Sequence, residues 1–192
     1  MKSPAKRLLS YAMGASSFFL SLIVVAPSAN AEIVYMAPHE KTFQSADGPT
    51  FVVGNTGETV NKVPPLNASG TVREVFLSGT AYSSVDAGSG GELQVGYHVG
   101  CAVELTGGSG GAGVTAESPG YTVGIEPGEV IDVPLVDKEI VPGVPGRVVY
   151  HDVHLVVNGC IGPAVIRQYT EIQMKSDAVD ERGVVYGDPL WI

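Results

Sequence analysis

The chain has 192 residues, with 11 Lys and Arg against 20 Asp and Glu, a formal net charge of −9. Such acidity excludes a nucleic-acid-binding surface, which needs clustered positive charge to displace counterions, and it opposes adsorption to anionic lipid. It suits attraction of cations, or simply solubility.

The first 31 residues read as an export signal. Lys2, Lys6 and Arg7 form a basic start, Ala15 to Val25 runs apolar, and Pro27-Ser28-Ala29-Asn30-Ala31 is a small-residue cleavage site. The apolar run is about 11 residues, short of the roughly 20 that a spanning helix needs. Cleavage after Ala31 would remove three basic residues and no acidic one, leaving eight against 20. The rest, 32–192, is expected to form one domain with its own core.

From there the pattern is β throughout. Short β-branched runs are punctuated by turn clusters, and no segment holds a 3.6-residue period over three turns. Glu32 to Thr42 reads as either a strand or a loose arm. Thr50 to Val53 is a short strand, ended by Gly54-Asn55-Thr56-Gly57. Thr71 to Val85 is a longer one. In Glu92 to Leu105, Tyr97, Val99, Cys101, Val103 and Leu105 alternate against His98, Gly100, Ala102 and Glu104. Gly107 to Gly113 is a glycine-rich tip, and Val114 to Ile125 returns from it past Pro119-Gly120. Glu129 to Val136 reads as a short edge strand, Arg147 to Asn158 as the strongest strand, then Ala164 to Met174 and Val184 to Tyr186.

About eight strands at this spacing predict an all-β fold, an immunoglobulin-like β-sandwich. One projecting, shortened β-hairpin is expected within 92–125, its arms 92–105 and 112–125 joined by the tip 107–113.

Two cysteines, Cys101 and Cys160, in an exported chain point to a disulfide; the alternative is two buried thiols. A bridge would constrain the unfolded chain by about 3–4 kcal/mol. Tyr150-His151-Asp152-Val153-His154 suggests metal ligation at first sight. On a regular strand, however, Asp152 and His154 share a face that His151 does not, and His39 or His98 would have to complete the set. No metal or other cofactor is therefore expected. No nucleophile elbow, zinc-protease helix or phosphate loop is present, so enzymatic activity is not expected either. Glu104 and Glu117 flank the glycine tip. In a ring of subunits they would form acidic girdles that select cations; otherwise they are two solvated carboxylates.

Three blocks carry a family resemblance. Thr71-Val72-Arg73-Glu74-Val75-Phe76-Leu77-Ser78-Gly79, Leu93-Gln94-Val95-Gly96-Tyr97-His98-Val99-Gly100 and Val185-Tyr186-Gly187-Asp188-Pro189-Leu190-Trp191 resemble, in order and spacing, segments of the MspA family of mycobacterial-type porins. Ser118-Pro119-Gly120 and Ile166-Arg167 add weaker matches. The resemblance implies a homo-oligomeric ring at the cell envelope or outer membrane. Each subunit would contribute a sandwich and a hairpin to one barrel that passes small hydrophilic solutes or cations. The family's hairpin is much longer, with paired aspartates that are missing here; only Cys101 to Glu117, about 17 residues, stands in its place. The alternative is a stemless exported sandwich that oligomerises or binds an envelope partner.

Overall fold

The structure, a computed structural model, describes residues 31–46, 48, 50–85, 90–103, 113–117, 120–125, 128–176 and 178–192. The proposed signal segment and Glu104 lie outside these residues, as does most of the glycine tip. No helix among the described residues is long and apolar enough to cross a membrane, which says nothing of strands.

Among the described residues twelve strands form two sheets, where the sequence predicts about eight strands. They are β1 (Glu32–Tyr35), β2 (His39–Gln44), β3 (Thr50–Val63), β4 (Arg73–Val85), β5 (Gly90–Cys101), β6 (Gly113–Glu117), β7 (Gly120–Gly124), β8 (Val130–Ile140), β9 (Gly146–Asn158), β10 (Ala164–Lys175), β11 (Asp180–Tyr186) and β12 (Leu190–Trp191). The first sheet runs β1-β3-β4-β9-β7-β6, with β2 also on β3. The second runs β11-β10-β5-β8, with β12 on β10. Apolar residues from both sheets form one buried cluster, with Val53, Val60, Leu77 and Leu155 facing Leu93, Val95, Val99 and Ile172. This is the expected sandwich. Alternation explains it: β4 buries every second residue from Val75 to Val85.

The strand read as Thr50 to Val53 does not stop at the glycines. β3 continues to Val63, and the pairing with β4 shifts between Thr56 and Thr59. Gly57 takes φ +63° there, so the glycine absorbs an inserted residue as a bulge and the strand goes on. β1 and β2 lie along the same edge of β3, on either side of that bulge. Residues 32–42 are thus an ordered edge and not a loose arm.

The expected pairing of 92–105 with 112–125 does not occur among the described residues. β5 is bonded to β10 on one side, from Gly90 to Cys101, and to β8 on the other. It has no edge left for a returning arm. The return belongs to the opposite sheet: β6 pairs with β7, and β7 runs parallel to β9. β8, longer than the expected 129–136, is the edge of its sheet, and Pro134 sits in it as an edge strand allows.

Gly120 opens this parallel pairing. A Cβ there would fall 2.3 Å from the His154 carbonyl oxygen, a backbone atom that cannot swing aside. Gly120→Ala should therefore cost about 1–3 kcal/mol, read as a lowered urea midpoint with an unchanged slope. Gly57→Ala tests the bulge separately.

Candidate functional site

The alternation read from β5 holds where it matters. Leu93, Val95, Tyr97, Val99 and Cys101 are buried against the opposite sheet, and His98 and Gly100 face out. It fails past Cys101, where Val103 is 51 % exposed; Leu105 lies outside the described residues. The chain here is no longer a strand but is tied down. Cys101 and Cys160 form a disulfide, with Cα atoms 5.8 Å apart. Ala102 N–H donates to the Pro163 carbonyl, and the Ile161 and Gly162 N–H groups donate to the Val103 carbonyl at 3.0 and 3.2 Å. Residues 101–103 are thus fastened to the turn between β9 and β10. Glu117 ends β6, its backbone opposite Gly120. Its side chain, like Glu104, is not described.

Asp152 and His154 do not share a regular face. Asp152 has φ +48°, and the β4–β9 pairing shifts between Leu77 and Gly79. The bulge sets the Asp152 N–H on the Ser78 hydroxyl at 2.8 Å. His154 stacks on Phe76 and reaches the Glu74 carboxylate at 2.6 Å. His151 is exposed. Among the described residues no three His, Cys, Asp or Glu side chains gather as metal ligands.

The outer face of the second sheet carries a patch that the sequence reading passed over. The registers align Trp191, Val165, Gly100 and Val130 in one row, and Arg167, His98 and Asp132 in the next. Arg167 lies 4.4 Å over the Tyr186 ring and touches His98 Nδ1 at 3.4 Å. His98 is tilted against Tyr169 and Tyr186. Partial burial lowers the His98 pKa, and Arg167 adds to that while Asp132 opposes it. A cleft of about 200 Å³ opens among His98, Gly100, Val130, Val165, Arg167 and Pro189. Val130 and Trp191, at 65 % and 61 % exposure, are large apolar side chains left in water beside it.

A second missed feature lies inside the sandwich. Glu58, next to the Gly57 bulge, is only 3 % exposed. Tyr97 donates to Glu58 Oε1 at 2.8 Å, and the Tyr97 and Tyr150 hydroxyls lie 3.2 Å apart. Gln168 Nε2 donates to the Tyr150 hydroxyl at 3.1 Å. Each hydroxyl has one proton, so the direction is fixed: Gln168 to Tyr150, Tyr150 to Tyr97, Tyr97 to Glu58. Burial raises the Glu58 pKa to about 7, against the lowering effect of the Tyr97 bond and of His39. Burial also holds both tyrosines above their ordinary range.

Comparison with known families decides the lineage. The MspA family model matches residues 47–190, three quarters of the chain. The chain belongs to the MspA family. The protein is therefore porin-like in the general sense, and its family is not one of enzymes. A search of curated proteins found no match. The matched span takes in β3 to β11, the disulfide and Glu58; β1, β2 and Trp191 of the outer patch lie outside it.

Proposed function

We propose that this protein works in the bacterial cell envelope as an exported, ring-forming member of the MspA family that has no membrane-spanning stem of its own. The anchoring of residues 101–103 carries this reading. The disulfide and three backbone hydrogen bonds hold that stretch to 160–163, and β6 begins at Gly113, so only nine residues of sequence separate the two. Folded back on itself, nine residues give about four per arm, or roughly 14 Å at strand rise. A spanning strand needs about 9–11 residues. The ring would serve as a scaffold or cap that meets an envelope partner.

Assembly rests on the outer patch of the second sheet. Exposed Val130 and Trp191 and half-buried Val165 form an apolar row next to Arg167 on an otherwise acidic protein, a surface suited to a partner copy. Trp191→Asp should convert the assembly to a monomer, read as the mass of the purified protein in solution. A wild-type protein that is itself a stable monomer contradicts the ring.

Family membership favours a second reading, a conducting pore for small hydrophilic solutes or cations, with Glu104 and Glu117 lining it. The two readings differ in extraction. A stemless ring leaves the envelope without detergent; a barrel stays with the membrane until detergent is added.

A further inference from the structure

We propose that Glu58 is a proton-operated latch for the C-terminal strap Tyr186-Gly187-Asp188, which seats on the sandwich over an uncharged carboxyl and loosens when the carboxyl ionises.

The geometry is a buried acid with a movable cover. Glu58 Oε1 takes the Tyr97 hydroxyl bond, but Oε2 is buried with no partner, and so is Gln168 Oε1 close by. The strap lies over both: a Cβ on Gly187 would sit 3.3 Å from Glu58 Oε2 and 3.6 Å from Gln168 Cβ. Glycine is what lets the backbone come this near. An unpartnered carboxylate oxygen buried under a backbone segment is costly, and protonation removes the charge that makes it so.

Between its two ends the strap is tied by two polar contacts. Gly187 N–H donates to the Gln168 carbonyl at 3.0 Å, and Asp188 meets His39 Nε2 at 3.4 Å with 60 % of its side chain exposed. The strap is anchored at both ends on β10, by Tyr186 at the end of β11 and Leu190 at the start of β12; between those anchors a change beneath it can move it. The strap's other side forms part of the outer cleft, through Pro189 and through Tyr186 under Arg167. Loosening it would therefore reshape that face.

The groups that surround Glu58 are known from every packed element. Tyr97 of β5 and Tyr150 of β9 stay protonated at neutral pH, since burial raises both. Gln168 of β10 and Asn55 of β3 carry no charge. His39 of β2 favours the ionised carboxylate, and Asp188 of the strap disfavours it. The variants Glu58→Gln and Asp188→Asn separate the carboxyl from the His39–Asp188 pair.

The test is hydrogen exchange at the Gly187 amide from pH 5 to 8, corrected for intrinsic exchange. The strap should open on its own, with Gly187 less protected than the β4–β9 ladder. Its protection should fall about tenfold per pH unit up to pH 7 and then level off. Glu58→Gln should abolish that slope, and Asp188→Asn should keep it at lower protection throughout. A slope that survives in Glu58→Gln overturns the latch, and so does Gly187 protection equal to that of the ladder. If Glu58→Gln does not fold, Asp188→Asn decides: a lost slope assigns the response to the His39–Asp188 pair and overturns the proposal, and a retained slope supports it.

Discussion

Glu58→Gln should raise the unfolding free energy at pH 8 by about 3 kcal/mol and change it little at pH 4. The sign follows from proton binding. The Glu58 pKa is raised from 4.5 to about 7 by folding, chiefly through burial. Below 4.5 both states hold the proton and the wild type keeps its full stability. Between 4.5 and 7 the unfolded chain loses its proton while the folded chain retains it, so stability drains away as pH rises. Above about 7 both are ionised and the loss stops growing. Glutamine has the same shape and never ionises, so no buried charge stands where Oε2 now lacks a partner. Urea titrations of both proteins at pH 4 and 8, with the disulfide intact, give the comparison. Equal pH dependence in the two proteins contradicts the assignment.

Breaking the Cys101–Cys160 bond should cost about 3–4 kcal/mol, since it closes a loop spanning 59 residues of separation. The paired change Cys101→Ala with Cys160→Ala measures this by urea unfolding against the oxidised wild type. The bridge joins β5 to the β9–β10 turn, and hydrogen bonds from Ala102, Ile161 and Gly162 extend the same junction. The double variant should thus also become sensitive to limited proteolysis near residue 103. Unchanged stability and an unchanged cleavage pattern would mean that the junction does not depend on the bond.

Much of the sandwich was legible because both sheets keep a buried inner face. Period-two alternation in β5 pointed to the strand and to its inward residues Tyr97, Val99 and Cys101. Where the backbone inserts a residue, that reading fails. Gly57 looks like a stop signal, yet at φ +63° it carries β3 onward; counting back by two from buried Val60 would have put Glu58 inside. Asp152 misleads in the same way, because a positive φ at a non-glycine residue cannot be read from its neighbours. The hairpin error has another cause. Residues 92–105 and 112–125 are adjacent in sequence and both strand-like, but pairing partners are chosen by long-range packing, and β10 and β8 occupy both edges of β5. The outer patch escaped notice because Val130, Arg167 and Trp191 are far apart in sequence and meet only through the strand registers. The cysteine pair was expected from compartment alone, and the structure joins it.

The proposed stemless ring rests on reach: with Val103 fastened to Ile161 and Gly162, nine residues of sequence before β6 are too few for two spanning strands. Conductance across a planar bilayer exposed to the purified, assembled protein tests this most directly. A flat trace is expected even at protein concentrations high enough for the proposed ring to assemble. Discrete, cation-selective current steps would contradict it and restore the conducting pore.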